Sequence, residues 1–450
     1  MTDLLAARTQ MALSLGFHIV FAEIGVAMPL MMVLAEWRWL RTGDAAWLEL
    51  AKRWAKGTAV LFAVGAVSGT VLSFELGLLW PGFMRFAGAI IGMPFSLEGF
   101  AFFTEAIFLG VYLYGWNHVG RRAHLAAGAI VAASGAASAI FVVMVNAWMN
   151  TPVGYQLAEG GRLVGIDPIA GMRSPAAFQQ ALHMLLAAYA ATGMAVAGVH
   201  ALMLLRGGSP AFHRRALAIA LCVGAPAAAL QPLSGDISAR VVAHTQPVKL
   251  AALEGQWETE RGAPLRIGGL PDARREETRW ALQIPYGLSL LAFHDPRAEV
   301  RGLKSVPPDE RPPVAVVHLA FQVMVACGTA LALVALWTGW TVLRRRDLAS
   351  RRRLLRALSA VAPLGFVATE AGWIVTEVGR QPWVVQGLLR TADAVTPMPG
   401  LVVPMTFFTL LYLGLGAVVV ALMVSLVRET SPRVVPPIST SPAGIPEASA

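Results

Sequence analysis

The feature that most restricts this chain is a series of nine apolar segments, each close to the roughly 20 residues that cross a bilayer. They fall at residues 12–35, 57–80, 93–116, 124–149, 178–205, 215–234, 312–343, 357–380 and 402–427. Inside hydrocarbon a backbone must satisfy its own N–H and C=O groups, which makes each segment a helix. The expected fold class is therefore all-α, a polytopic membrane helical bundle. Composition agrees: only 14% of the 450 residues are charged, against about 25% in soluble domains. Cys222 and Cys327 both lie in apolar runs, which excludes a disulfide scaffold and leaves core packing as their default role. The start, Met1-Thr2-Asp3, lacks a basic region and a small-residue cleavage site, so the first segment reads as retained.

A net charge of +9 raises nucleic acid as a partner, but the placement of charge argues against it. Basic residues crowd short loops beside apolar segments, as in Arg344-Arg345-Arg346 and Arg351-Arg352-Arg353. Arg38, Arg41, Lys52, Arg53 and Lys56 mark the first loop, Arg121 and Arg122 the third, and Arg206, Arg214 and Arg215 the fifth. The positive-inside rule then puts the N-terminus outside and the C-terminus in the cytoplasm, which an odd helix count also requires. The chain divides into helices one to six (1–235), a polar outer loop (236–311), helices seven to nine (312–430) and a Pro- and Ser-rich tail (431–450) that reads as disordered. So long a loop is either functional or disordered, and its non-repetitive sequence favours function. Its stretch from Lys249 to Glu258 has helical spacing, with Lys249 and Glu254 five apart.

Ionisable groups inside spans are costly and mark function by default. Here they are His18, Glu23, Glu75, Glu98, Glu105, His183, His318, Glu370 and Glu377. The expected topology puts His18, Glu98, His183 and Glu377 near the outer ends of their helices, with Met324 in the outer half of helix seven. That convergence suits a cofactor cluster better than a midplane transport path. Bland alternatives exist: a lone intramembrane His can be a hydrogen-bonded core residue, and Met at helical spacing is more often packing. Glu98 and Glu105, seven apart on one helical face, can be two protonated, hydrogen-bonded carboxyls. His118, His200 and His213 read as ordinary residues at the cytoplasmic edge.

The run Glu370-Ala-Gly-Trp373-Ile-Val-Thr-Glu377-Val-Gly-Arg380-Gln-Pro-Trp383 resembles the signature of subunit I of cytochrome bd-type quinol oxidases. Further matches follow in order: Phe17-His18, Leu97-Glu98-Gly99, Phe102-Phe103-Thr104-Glu105, Asn146-Ala-Trp148-Met149-Asn150-Thr-Pro152, His183, Lys249-Leu-Ala-Ala-Leu-Glu254 and Met324. The resemblance covers nearly the whole chain except its tail. It implies that His183 and Met324 are axial ligands of a low-spin haem b. His18, Glu98 and Glu377 would hold two high-spin haems, one b and one d or a second b, with Trp373 packed nearby. Arg380 and Arg8 would neutralise haem propionates. Lys249 and Glu254 would line the quinol site, Glu254 facing the outer water. Glu105, with Ser138 and Asn146, would lie on the proton route.

The resemblance also implies the partners and the place of work: a subunit II, a small single-span accessory subunit, quinol, dioxygen and lipid, in the bacterial inner membrane. Quinol would be oxidised at the outer face and dioxygen reduced to water, generating proton motive force without pumping. The chain departs from the best-known members at Gln322, where they have Arg, in the Glu98–Glu105 spacing, shorter by one, and in Ser73-Phe74-Glu75-Leu76. These departures resemble the short-loop, cyanide-insensitive branch. The rival is an electron-transfer cytochrome b that never meets oxygen.

Overall fold

The structure is a computed structural model that describes residues 1–429; the tail expected to be disordered lies outside the described residues. The first four spanning helices are α1 (Asp3–Thr42), α2 (Ala45–Leu79), α3 (Pro81–Tyr114) and α4 (Arg121–Asn150). A small hairpin, β1 (Gln156–Leu157) with β2 (Leu163–Val164), and the turn α5 (Pro168–Met172) lead to α6 (Ala177–Leu205) and α7 (Pro210–Thr245). The segment 246–313 holds α8 (Pro247–Glu254), α9 (Gly287–Phe293) and three two-stranded pairs. These are β3 (Glu260–Arg261) with β8 (Glu299–Val300), β4 (Leu265–Ile267) with β7 (Leu282–Ile284), and β5 (Leu270–Asp272) with β6 (Glu277–Arg279). Then come α10 (Val314–Leu343), α11 (Arg352–Val361), α12 (Leu364–Val378), the pair β9 (Trp383–Val385) and β10 (Leu389–Arg390), α13 (Thr391–Ala394) and α14 (Val402–Glu429). Counting Arg352–Val378 as one span, nine helical stretches among the described residues are long and apolar enough to cross a membrane.

Several helices overrun the apolar segments that announced them. Helix α1 starts at Asp3 rather than residue 12, α3 at Pro81 rather than 93, and α7 runs to Thr245 rather than 234. Apolar content reads only the part of a helix in hydrocarbon, whereas caps set its ends. Thr2 Oγ1 caps α1 by accepting from Leu5 N at 3.3 Å. Gly43, at φ 70°, closes the same helix in the left-handed region, where glycine carries no steric penalty. Asp44 then caps α2 by accepting from Ala46 N at 3.0 Å. The expected eighth helix is broken between α11 and α12 at Pro363, whose ring cannot continue a helix interior.

The spans pack as two rings of four. In the first, α1 touches α2 and α4, and α3 touches α4 and α2, leaving α1 and α3 on a diagonal. In the second, α7 touches α6 and α10, and α12 touches both as well, leaving α6 and α10 on a diagonal. Helix α6 also meets α1 and α4, joining the rings, while α14 leans on α1 and α2. Glycines set the closest approaches. A Cβ on Gly193 of α6 would stand 2.5 Å from Gly224 Cα of α7, and one on Gly365 of α12 would stand 2.4 Å from Ala191 Cα of α6.

The two faces differ in chemistry. On one, guanidinium and ammonium groups lie over aromatic rings, as in Arg38 on Trp47, Lys52 on Trp116, Arg121 on Trp39 and Arg344 on Trp340. The opposite face carries the N-terminus and residues 246–313, and is the outer face of the expected topology. His200 and His213 are not simple edge residues: both are buried, with their Nδ1 atoms 2.9 Å apart. Cys222 is exposed on α7 rather than packed in the core.

Candidate functional site

The second ring brings His183 and Met324 to one depth. Gly365 and Ala191 are in contact, and Gly372 lies under the Met324 sulfur, 3.2 Å from where its Cβ would be. His183 is eight residues above Ala191 on α6, and eight residues above Gly365 on the antiparallel α12 is Trp373. At 1.5 Å per residue both climbs are about 12 Å. His183 and Met324 therefore lie at about the depth of the α12 turn that carries Gly372 and Trp373, on helices on the diagonal of the ring. His183 Nδ1 is 3.0 Å from Ser234 Oγ, and its Nε2 faces the Gln231 amide at 3.2 Å. Measured only from the helix starts, Ala177 and Val314, the two residues would sit about 6 Å apart in depth. The shared neighbour α12 removes that discrepancy.

The first ring arranges its groups differently. His18 Nδ1 is 3.0 Å from Ser68 Oγ, and that hydroxyl donates to Val64 O at 2.9 Å. With its proton so used, Ser68 accepts from Nδ1–H, and the His18 Nε2 lone pair is left free. Glu98 accepts from Ser138 Oγ at 3.2 Å. Glu105 is buried between α1 and α4: Cβ atoms on Gly25 and Gly135 would stand 3.9 and 3.1 Å from its Oε1. His18 precedes Gly25 by seven residues and Glu98 precedes Glu105 by seven. His18 and Glu98 therefore share a depth about two helical turns above Glu105. This corrects their expected place near the outer helix ends. Because α1 and α3 begin well before their apolar runs, His18 lies 15 residues into α1 and Glu98 lies 17 into α3.

Glu377 sits at the end of α12 nearest α8, and it anchors a chain of polar contacts. Arg380 Nη2 donates to Glu377 Oε2 at 2.6 Å, and Asn146 Nδ2 donates to Glu377 Oε1. Asn150 Nδ2 donates to Asn146 Oδ1 at 3.0 Å, while Lys249 Nζ donates to Asn150 Oδ1 and, at 3.3 Å, to Thr376 O. Helices α4, α8 and α12 thus meet in one network running from Lys249 to Arg380. Burial pushes the Lys249 ammonium down to about 7, Arg380 adding to the fall and Glu377 opposing it. Burial lifts the Glu254 carboxyl to about 7 against the pull of Arg266. Glu254 does not face open water as expected. The strands fold over it: Thr278 Oγ1 of β6 donates to Gly255 O at 2.7 Å, and Arg266 of β4 donates to Gln256 Oε1.

The sequence pointed to most of these side chains but not to their supports. Gln231 and Ser234 sit in an unremarkable stretch of α7, and no sequence signal marks them. Asn150 stands in a quoted motif, and only the fold reveals it as the link between Lys249 and Asn146. Gln322, where the best-known members have Arg, fastens the segment 246–313: its Oε1 accepts from Gly268 N at 3.0 Å and its Nε2 donates to Arg266 O at 3.2 Å. His318 Nδ1 and Nε2 lie 2.7 and 3.0 Å from Leu253 O and Gly268 O, a structural clamp.

These residues fit haem. Arg380 is 2% exposed, yet its Nε and Nη1 have no acceptor, as a guanidinium aimed at an absent anion would. Arg8 is half-buried, and its side chain has no hydrogen bond or ion pair among the described residues. Two imidazoles fixed through Nδ1 by serines have the second contact that metal-ligating histidines use. The fold and these donors define a polytopic membrane protein built to hold prosthetic groups within its rings. The family profile for "Cytochrome bd terminal oxidase subunit I" matches residues 6–431, and the chain belongs to that family. It is 37% identical, over 95% of its length and 97% of the relative's, to a Bacillus subtilis protein provisionally named cytochrome bd menaquinol oxidase subunit I. It is 32% identical to the Bacillus subtilis cytochrome bd ubiquinol oxidase subunit 1, over 95% and 94% of the two chains. The solved bd oxidase from Geobacillus thermodenitrificans contains a similar chain, with TM-score 0.89, 39% identity and coverage of 95% and 99%.

Proposed function

We propose that this chain is the haem-carrying, quinol-oxidising subunit of a terminal oxidase that reduces dioxygen to water, working with a subunit II in the bacterial inner membrane. The observation that carries this reading is the network from Lys249 to Arg380. It links a polar outer segment, where a quinol can lose its protons, to buried cation donors that lack partners inside the bundle. Haem bound in the two rings supplies the electron transfer and the oxygen chemistry. In this reading His183 and Met324 would together hold a low-spin haem b, which would supply electron relay without oxygen binding. His18, Glu98 and Glu377 would hold a high-spin haem b and a haem d, or a second haem b, with Trp373 packed nearby and Arg380 and Arg8 neutralising propionates.

The chain's own groups handle protons and position. Quinol oxidation releases two protons, and Glu254, held near neutrality, accepts one when ionised. Lys249 lies beside it on α8 and reports to Glu377 through Asn150 and Asn146. Glu105 delivers protons from the inner side toward the level of His18 and Glu98, with Ser138 alongside. Protons leave at one face and are taken up from the other, which charges the membrane without a pump. The N-terminus is outside, which the basic face bearing Arg38, Lys52 and Arg344 supports, and residues 246–313 act as the quinol-binding unit. The short-loop, cyanide-insensitive branch and a small accessory subunit complete the reading. Relatives carry both menaquinol and ubiquinol in their names.

The test is the purified two-subunit complex, assayed for quinol-driven oxygen uptake and by its reduced spectrum with and without carbon monoxide. Oxygen uptake together with one CO-insensitive and at least one CO-reactive haem is expected. Low-spin haem alone, without oxygen uptake, would instead make the chain an electron-transfer cytochrome b.

A further inference from the structure

The outer segment contains an apolar face turned away from the protein. Ile267 pairs with Leu282 and Leu265 with Ile284 across the β4–β7 hairpin, and Ile267, Leu282 and Ile284 are exposed, Leu282 by 66%. Arg266, between Leu265 and Ile267, points inward instead, to Gln256 and toward Glu254. A hairpin in water shows the reverse arrangement, charge outward and aliphatic groups inward. The next link exposes Trp280 by 81%, held at φ 55°, a left-handed backbone that a bulky residue adopts only at a cost. Leu270 of β5 and Tyr286 extend the same exposed apolar surface. Patches of this kind on a segment outside the bundle mark an interaction surface.

Its depth identifies what covers it. The link between β4 and β5 is fastened to α10 at His318 and Gln322, about 6 and 12 Å below the start of that helix. At this level the outward side of α10 shows Val316, Leu319 and Val323, all exposed and spaced for one helical face. Hydrocarbon therefore reaches at least as high as Val316, and the hairpins hang beside it. Beside Trp280 lies a hollow of about 340 Å³ lined by Leu270, Asp272, Arg274 and Arg279. Tryptophan and tyrosine next to arginine is the composition of a membrane–water interface. Guanidinium groups there match lipid phosphates.

We propose that the β4–β7 and β5–β6 hairpins are seated in the adjoining lipid leaflet. Ile267, Leu282 and Ile284 lie against acyl chains, Trp280 lies at the interface, and the exposed Arg274 lies among phosphates, while Arg279 is paired with Glu277 at 2.6 Å. The outer segment is then anchored by lipid as well as by α10, and β4 carries that anchorage to Arg266 and the α8 end. The inference is independent of what α8 binds. Leu282→Cys and, as a control, Asp309→Cys are labelled with an environment-sensitive fluorophore in a Cys222→Ser, Cys327→Ser background. Asp309 is 68% exposed at the top of α10. The two-subunit complex is placed in nanodiscs containing phosphatidylglycerol, with nitroxide lipid or aqueous iodide as quencher. Nitroxide lipid should quench the Leu282 label strongly, and iodide should act on it several-fold less than on the Asp309 label. Equal iodide quenching at both sites would put the hairpin in water. Resistance to both quenchers would mean that a protein chain covers it. Either result overturns the proposal. If Leu282→Cys does not assemble, Trp280→Phe serves: brominated lipid should quench native tryptophan emission by a fraction that this substitution lowers, and an unchanged fraction counts against immersion.

Discussion

The two rings solve the same geometric problem with different chemistry. Each places two donor side chains at one depth on diagonal helices, His183 and Met324 in one, His18 and Glu98 in the other. In the second ring neither partner of the pair is a carboxyl, and close glycine contacts at Gly365 and Gly372 fix the level of both. In the first ring a carboxyl, Glu98, shares the histidine's level, and a second, Glu105, is buried about two turns beneath. A site whose two axial positions are filled by histidine and methionine relays electrons and needs no proton. A site that makes water needs protonatable groups within reach. In the proposed function, what separates a relay from a reaction centre is therefore which side chains share the histidine's level.

The sharpest way to break the comparison is to remove the relay's histidine. His183→Ala should lose the low-spin haem and lower quinol-driven oxygen uptake by more than about 100-fold, while CO-reactive haem in the first ring stays. Loss of all haems together would mean that the rings are not separate sites. The next largest effect belongs to the first ring alone. Glu105→Gln should slow oxygen reduction on the order of 100-fold and leave every haem band in place, whereas an unchanged rate would remove Glu105 from proton delivery.

The proton-accepting role proposed for Glu254 sets its segment apart from the two rings. Its carboxyl is lifted to about 7 by burial, and it accepts a proton only when ionised. Quinol oxidation should rise with pH up to and through about 7 and fall on the acid side. Glu254→Gln should lower turnover roughly 10- to 100-fold and abolish that rise without altering the haem spectrum. A native pH profile in this variant would rule Glu254 out as acceptor.

How much of this was legible in the sequence depends on which force set each feature. The nine spans were legible because hydrocarbon demands long apolar runs. Their ends were not, since Thr2 and Asp44 start two helices as caps and α7 continues through the polar residues past position 234. Helix α8 was legible from the spacing between Lys249 and Glu254. Its burial was not, because the strands that cover it, β4 and β6, are only three residues long and carry no pattern. His183 and Met324 were singled out by resemblance, and their common depth follows from two glycine contacts on α12. Ser234 and Gln231 gave no signal, since hydrogen bonds to a ring nitrogen depend on helix rotation.

Ser234 supplies the smallest test. Ser234→Ala should remove one hydrogen bond at His183 Nδ1, worth about 1 kcal/mol, and raise the low-spin midpoint by roughly 40 mV for one electron. Ser68→Ala should leave that midpoint unmoved, because its contact is to His18. A shift with Ser68→Ala and none with Ser234→Ala would exchange the roles assigned to the two rings.

The claim that the second ring fills both axial positions is tested most directly by carbon monoxide on Met324→Leu. If Met324 only packs, this volume-conserving change is nearly silent, costing less than about 1.5 kcal/mol. The measurement is the reduced-plus-CO minus reduced spectrum of native and variant complexes at equal haem content. The account predicts that native low-spin bands ignore carbon monoxide and that Met324→Leu gains a CO-reactive fraction at the expense of those bands. Identical difference spectra, with the low-spin bands intact in the variant, would contradict it and make Met324 a packing residue.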